Sequence, residues 1–228
     1  MISDETTTAI GSGIAGVRQR IAAACGRSRR DPRNVRLVAI TKTRAANVIA
    51  EAYEAGLRDF GENRVQEAAP KIAELRDRGM APTWHLVGHL QRNKVTAALR
   101  HFDILHSVDS IALAEKISAN AERPVRVLLE VNVARDPTKF GVSPSDTAAL
   151  ASQIGRLDRI ELVGLMTVAP QTDDPESARP VFRQLRELAD AIGLKELSMG
   201  MTDDFEVAVE EGSTLVRVGR AIFGDRPQ

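Results

Sequence analysis

Arg36-Leu-Val-Ala-Ile-Thr-Lys-Thr-Arg44, RLVAITKTR, is a short apolar run that ends on an amine. Leu37, Val38, Ala39 and Ile40 are continuous rather than alternating, the pattern of a strand covered on both faces. A strand of that kind belongs to a parallel sheet flanked by helices. Lys42 then stands where the strand gives way to a loop, either solvated or held in a site.

On either side the same unit recurs. Further apolar runs are RDFGE (Arg58–Glu62), WHLVG (Trp84–Gly88), DILHSV (Asp103–Val108), VRVLLEVNV (Val125–Val133), IELVGLMTV (Ile160–Val168), ELSMG (Glu196–Gly200) and TLVRVG (Thr214–Gly219). Between them lie helical patterns, such as Val181, Phe182, Leu185, Leu188 and Ile192 at spacings of three and four. Strand alternating with helix implies parallel strands joined by right-handed crossovers. Eight such units without a long linker predict an α/β fold closed as a (β/α)₈ TIM barrel; a doubly wound open sheet is the alternative if fewer strands form. Ile10, Ile14, Val17 and Ile21 predict an additional N-terminal helix over about 8–25, covering the outside or the bottom of a barrel that runs over about 35–224. The whole chain, 1–228, reads as one domain.

Composition excludes several functions. The 228 residues carry formal net charge zero, so no general field draws in nucleic acid or an anionic membrane. Cys25 is the only cysteine, which rules out an internal disulfide and suits a reducing, cytoplasmic setting. MISDETTTAI lacks the basic region and apolar core expected of a signal peptide, and no apolar run is long enough to span a bilayer.

Barrel enzymes place their chemistry at the carboxyl ends of the strands, and Lys42 follows the first strand at that end. GSGIAG (Gly11–Gly16) matches a dinucleotide fingerprint, but no buried strand precedes it and the helical period runs through its glycines, so it reads as a small-residue helix face. His85 and His89 are four apart, yet His85 lies in a strand and His89 beyond Gly88, so a helical zinc pair is not expected and no metal is predicted. His85 is expected to bond neighbouring loops. In FGENR, Asn63 either caps the next helix or turns its amide into the barrel mouth. LSMGMTDD (Leu197–Asp204) and VRVGRAIFG (Val216–Gly224) each run strand, glycine, helix start; these are helix caps or, at the place where barrels commonly hold phosphate, an anion cradle. Arg217, between Val216 and Val218, needs a carboxylate or a ligand as partner.

A lysine opposite a phosphate cradle suits pyridoxal 5′-phosphate (PLP), with Arg217 donating a hydrogen bond near the pyridine nitrogen without protonating it. VAITKT, FGENRVQE, WHLVGHLQRNK, LHSVDS, VGLMTV, LSMGMTDDFEVAVEEGSTLVRVG and AIFG resemble, in order from Val35 to Gly224, the pyridoxal phosphate homeostasis proteins, the YggS/PROSC-like group. The resemblance implies the N-terminal barrel fold of alanine racemase (PLP fold type III-like) and a protein that buffers or delivers PLP, with apo PLP-dependent enzymes as recipients. It implies a Schiff base on Lys42, Asn63 beside the cofactor, Ser198 and the backbone at Met199 on phosphate together with Gly219, and Arg217 at the ring nitrogen. Arg220 stands where the family usually has Thr or Ser; its guanidinium either adds a contact to phosphate or turns outward.

The rival reading is an amino-acid racemase of the alanine racemase type. Racemisation needs a base on each face of the substrate, and Tyr53, the only tyrosine, lies on the helix after the first strand, where packing is expected. A carrier without turnover, monomeric in the absence of a dimer-building second domain, is the expectation.

Overall fold

The structure is a computed structural model in which residues 4–225 are described. Residues 1–3 and 226–228 of the expected 1–228 domain lie outside the described residues. Eight strands, β1 (Arg36–Ile40), β2 (Asp59–Glu62), β3 (Thr83–Leu86), β4 (Ile104–Val108), β5 (Val125–Glu130), β6 (Ile160–Met166), β7 (Glu196–Ser198) and β8 (Leu215–Val218), pair in chain order and close, all parallel. Closure is made by β1 against β8, with Leu37 opposite Val216 and Val38 opposite Arg217. The expected barrel is what forms. The crossovers are α2 (Ala46–Glu54), α3 (Val65–Asp77), α4 (Val95–His101), α5 (Ile111–Asn120), α6 (Thr147–Ile154), α7 (Arg179–Ala191) and α8 (Phe205–Glu210), and α9 (Arg220–Phe223) follows the last strand.

The continuous apolar strands have a simple cause. Outward side chains such as Ala39, Phe60, Leu105, Val127, Leu165 and Val216 are buried under the helix ring, while inward ones fill the lumen. Each large aliphatic group so buried stabilises the fold by roughly 1.5–3 kcal/mol. The apolar part of the lumen is small: Val38, Ile104, Leu128, Met166 and Leu215. The remainder is polar. Arg36 and Arg126 meet Glu196 at 2.7 and 3.7 Å near the amino ends of the strands, and His85, His106, Ser198 and Arg217 are buried higher up.

The additional helix, α1 (Asp4–Ser28), starts and ends a few residues beyond the expected 8–25. It lies outside the barrel against α8, α9 and α2, burying Ile10, Ile14, Val17 and Ile21. GSGIAG sits within this unbroken helix, so no strand-to-helix turn exists for a dinucleotide. Gly13 is needed for contact: a Cβ there would lie 2.8 Å from the Ile222 carbonyl oxygen and 3.1 Å from that of Ala221. Arg20 to Glu206 at 2.6 Å and Arg27 to Glu210 at 2.5 Å fasten α1 to α8. Among the described residues, no helix is long and apolar enough to cross a membrane.

Candidate functional site

A cavity of about 690 Å³ opens at the carboxyl ends of the strands, within the range of small-molecule sites. Lys42, Asn63, Arg217, Gly219 and Arg220 all line it.

Lys42 is half-buried and projects from the turn after β1. Its two chain neighbours are anchored. The Thr41 hydroxyl donates to Glu62 Oε1 at 2.7 Å. Lys71, on α3, donates to the Thr41 carbonyl at 3.0 Å and to Glu62 Oε1 and Glu67 Oε1, both at 2.9 Å. On the other side, the Thr43 N–H donates to Glu67 Oε1 at 2.5 Å. Thr43 has φ 66°, a left-handed conformation that a β-branched residue adopts only under constraint. Glu67 and Lys71 supply that constraint. Glu62 is wholly buried, and its Oε2 has no hydrogen-bond partner. Burial pushes its pKa above the usual carboxylate range, against the lowering effect of Thr41 and Lys71.

Arg217 rises through the floor of the cavity. Its Nη1 donates to Ser198 Oγ at 2.6 Å and its Nη2 to the Thr167 carbonyl at 2.9 Å. Burial lowers its pKa to about 10, against the pull of Asp204 and Glu130, so the guanidinium stays charged at neutral pH. Beneath it, Ser198 Oγ lies 2.8 Å from His106 Nδ1, His106 Nε2 lies 2.9 Å from His85 Nδ1, and His85 Nε2 lies 3.0 Å from Asp59 Oδ1. Burial lowers the pKa of His85, and lowers that of His106 strongly.

Ser198 is therefore under the floor rather than on it, with its hydroxyl engaged by Arg217 and His106. Met199 is likewise buried, and its N–H donates to the Leu215 carbonyl at 3.2 Å. Neither lines the cavity. The physical reason is strand parity: Ser198 faces the lumen and Met199 the helix layer, and the chain reaches the mouth only after Gly200, whose φ of +92° turns it. Met201, Thr202, Asp203 and Asp204 form that wall instead. The Asp204 carboxylate receives the Met201 N–H at 2.6 Å.

Asn63 lines the mouth and is not the helix cap; Arg64 occupies the N-cap of α3, with no side-chain cap bond. Gly88 backs it so closely that a Cβ would lie 2.3 Å from the Asn63 carbonyl oxygen. Gly219 lies against β1 in the same manner, with a Cβ 3.3 Å from the Ile40 carbonyl oxygen. Arg220 lines the cavity and bonds Asp203, Nη2 at 2.5 and 2.7 Å from the two oxygens.

His85 and His89 diverge. His85 points into the lumen, not to loops, whereas His89 stacks on Phe140 at 3.8 Å and lies 3.4 Å from Asp109. Tyr53 packs on the outer side of α2 beneath the Arg58 guanidinium, 4.2 Å from its ring centre. Sequence reading gave no role to Asp59, His106, Lys71 or Glu130. Polar residues at inward strand positions were the available signal, since a buried polar group requires a partner. Glu130, at the end of β5, has its pKa raised to about 7 by burial and by Asp109, against Arg217.

The lining tests well against PLP. It offers an amine, a buried guanidinium positioned to donate from below, glycine backbone open to close approach, and a cation at the rim.

The family model for the N-terminal domain of alanine racemase matches residues 17–227. The pyridoxal phosphate homeostasis protein of Pseudomonas aeruginosa is 42% identical over 95% of this chain and 96% of its own. That of Aquifex aeolicus is 41% identical over 93% and 96%. Among solved structures, PipY of Synechococcus elongatus with PLP bound superposes with TM-score 0.82 at 40% identity, covering 94% of this chain and all of that one. Alanine racemase of Corynebacterium glutamicum superposes with TM-score 0.70 at 19% identity over 97% of this chain and 62% of that one, a likeness of fold. The chain belongs to the pyridoxal phosphate homeostasis protein family, built on the alanine racemase N-terminal barrel.

Proposed function

We propose that this protein binds PLP in the barrel mouth through Lys42 and buffers it or hands it to apo PLP-dependent enzymes, without turnover of its own. One observation carries the reading: Lys42, Arg217, Gly219 and Arg220 line one cavity at the carboxyl ends of the strands, with Gly219 at the end of β8, the strand that pairs with the one before Lys42. PLP supplies an aldehyde, which condenses with a neutral amine to a C=N bond with loss of one water and is released by adding that water back. The chain supplies the rest. The anchored Thr41 and Thr43 hold the amine in place. Arg217 offers a hydrogen bond to the ring nitrogen and, remaining charged, transfers no proton to it. Asn63 borders the ring, and Gly219 and Arg220 meet the phosphate. The PipY structure, which contains PLP, and the names of the homeostasis relatives support the same reading.

Arg217 also bears on the absence of turnover. A ring nitrogen that receives a hydrogen bond but no proton is a poor electron sink. Racemisation further needs a base on each face of the substrate, and Tyr53 lies outside the barrel. The test is the absorption spectrum of the purified protein with PLP, before and after borohydride, followed by peptide mapping. A yellow species fixed on Lys42 is expected. A label elsewhere, or no uptake at all, would remove the proposal.

A further inference from the structure

The lumen beneath the cavity holds a file of hydrogen bonds running the height of the barrel, through residues from β8, β7, β4, β3 and β2. Arg217, Ser198, His106 and His85 are buried, and the Asp59 side chain at the lower end is 20% exposed. The direction of the file follows from its two ends. A guanidinium can only donate, so Ser198 Oγ accepts from Arg217 at 2.6 Å. The Ser198 proton then goes to the neighbour left to it, His106 Nδ1, at 2.8 Å. A neutral imidazole has one N–H, so His106 carries its proton on Nε2 and donates to His85 Nδ1 at 2.9 Å. His85 is therefore also the Nε2–H tautomer and donates to the Asp59 carboxylate at 3.0 Å. Burial keeps both rings neutral. Every proton points down the barrel, towards Asp59. Glu196, also near the amino ends of the strands, is engaged by Arg36 and Arg126.

We propose that Asp59, at the far end of the barrel from the mouth, is a positioning residue for the cofactor site: it fixes both histidine tautomers and thereby keeps His106 Nδ1 free to accept the Ser198 proton while Ser198 accepts from Arg217. This rests on the reading that Arg217 faces bound PLP. If the file ran the other way, His106 Nδ1–H and Arg217 Nη1–H would converge on one oxygen, whose own proton would lose its acceptor. Ser198 would have to turn to find another acceptor for that proton, and Arg217, following it, would swing about its second bond, to Thr167 at 2.9 Å, turning its remaining donors away from the ring nitrogen.

The test uses Asp59→Asn, whose amide can offer an N–H to His85. In ¹⁵N-labelled protein without PLP, both His85 and His106 should be Nε2–H in the parent, and D59N should move them to Nδ1–H. With PLP, D59N should shift the visible absorption maximum and weaken binding roughly three- to tenfold, the scale of one misdirected buried hydrogen bond. Unchanged tautomers and spectrum in D59N would overturn the inference. His85→Gln and His85→Leu give an independent arm should D59N not fold. Glutamine can accept from His106 and donate to Asp59, so H85Q should keep the parent spectrum while H85L loses it; identical spectra for H85Q and H85L would also overturn the inference. If the parent takes up no PLP, the cofactor reading fails, while the tautomers still decide the direction of the file.

Discussion

Arg220 closes on Asp203 across the rim of the cavity, its Nη2 2.5 and 2.7 Å from the two carboxylate oxygens. The pair joins the start of α9 to the loop after β7 and neutralises a carboxylate that would otherwise repel a phosphate. It also occupies the guanidinium. A dianion arriving at the rim therefore competes with Asp203 for the same donor. Asp203→Asn should release Arg220 and tighten PLP by roughly threefold or more, with a steeper salt dependence, because the freed cation then serves the ligand alone. Arg220→Ala should weaken it by exposing the Asp203 charge. Titration calorimetry at two ionic strengths checks this, and equal affinities in all three proteins would show that the rim pair takes no part.

Replacing the amine separates covalent from non-covalent retention. Lys42→Ala should lose the visible band and the borohydride-stable adduct while PLP is still retained weakly through Arg217, Gly219 and Arg220. Equilibrium dialysis beside absorption spectroscopy reads both quantities. A variant that keeps the band would place the linkage on another residue.

Lys71 joins Glu62, Glu67 and the Thr41 carbonyl at 2.9–3.0 Å. Lys71→Met would leave Glu62, already wholly buried, without its cation. Removing one partner of a buried pair costs about 3 kcal/mol or more. Urea denaturation should show that loss, and Glu62→Gln in the same background should recover part of it by removing the charge. PLP uptake by K71M should slow, since Thr41 and Thr43 lose their shared anchor.

Between about pH 4.5 and pH 7, buried groups should pull stability in opposite directions. Glu130 has a native pKa raised from 4.5 to about 7, so the native state holds a proton that the unfolded chain has released between those values. Its contribution is complete below about pH 4.5, is lost progressively as pH rises towards 7, and changes no further above that. His85 and His106 are depressed from 6.5, so the unfolded state takes up their protons first, and stability is lost as pH falls below that value. Glu130→Gln should thus gain on the parent by about 2 kcal/mol between about pH 5 and pH 8.5. Denaturant midpoints across that range test the sign.

Gly88 is pressed against the Asn63 backbone, where an added methyl would come within 2.3 Å of the carbonyl oxygen. Gly88→Ala should displace Asn63 from the mouth and lower both thermal stability and PLP affinity, whereas Gly11→Ala, with open space around it, should leave PLP affinity unchanged. Differential scanning calorimetry and PLP titration distinguish the two.

Much of this architecture was legible in the sequence because a two-sided parallel strand needs an apolar run, and each run from Val35 to Gly219 met that need. Lys42, Arg217 and Gly219 could be placed at the mouth because barrel topology assigns a common end to the residues that follow the strands. Ser198 and Met199 could not: whether a residue faces lumen, helix or mouth depends on strand parity and on where the strand stops, and β7 stops at Ser198. The histidine file was invisible for a related reason. Asp59, His85, His106 and Ser198 are far apart along the chain, and only barrel closure and the register of β2, β3, β4 and β7 bring them into line. Arg220 was ambiguous because its partner, Asp203, lies 17 residues away across a different loop.

The bare Cα of Gly13 lets α1 rest on the carbonyls of Ala221 and Ile222, directly behind Gly219 and Arg220. A side chain at that one spot on an outer helix would act as a wedge, prying the last short helix off its seat and widening the gap that a phosphate has to bridge. Grip on a phosphate held there as proposed would in this way be set partly from the back of the molecule, by a residue that never touches it.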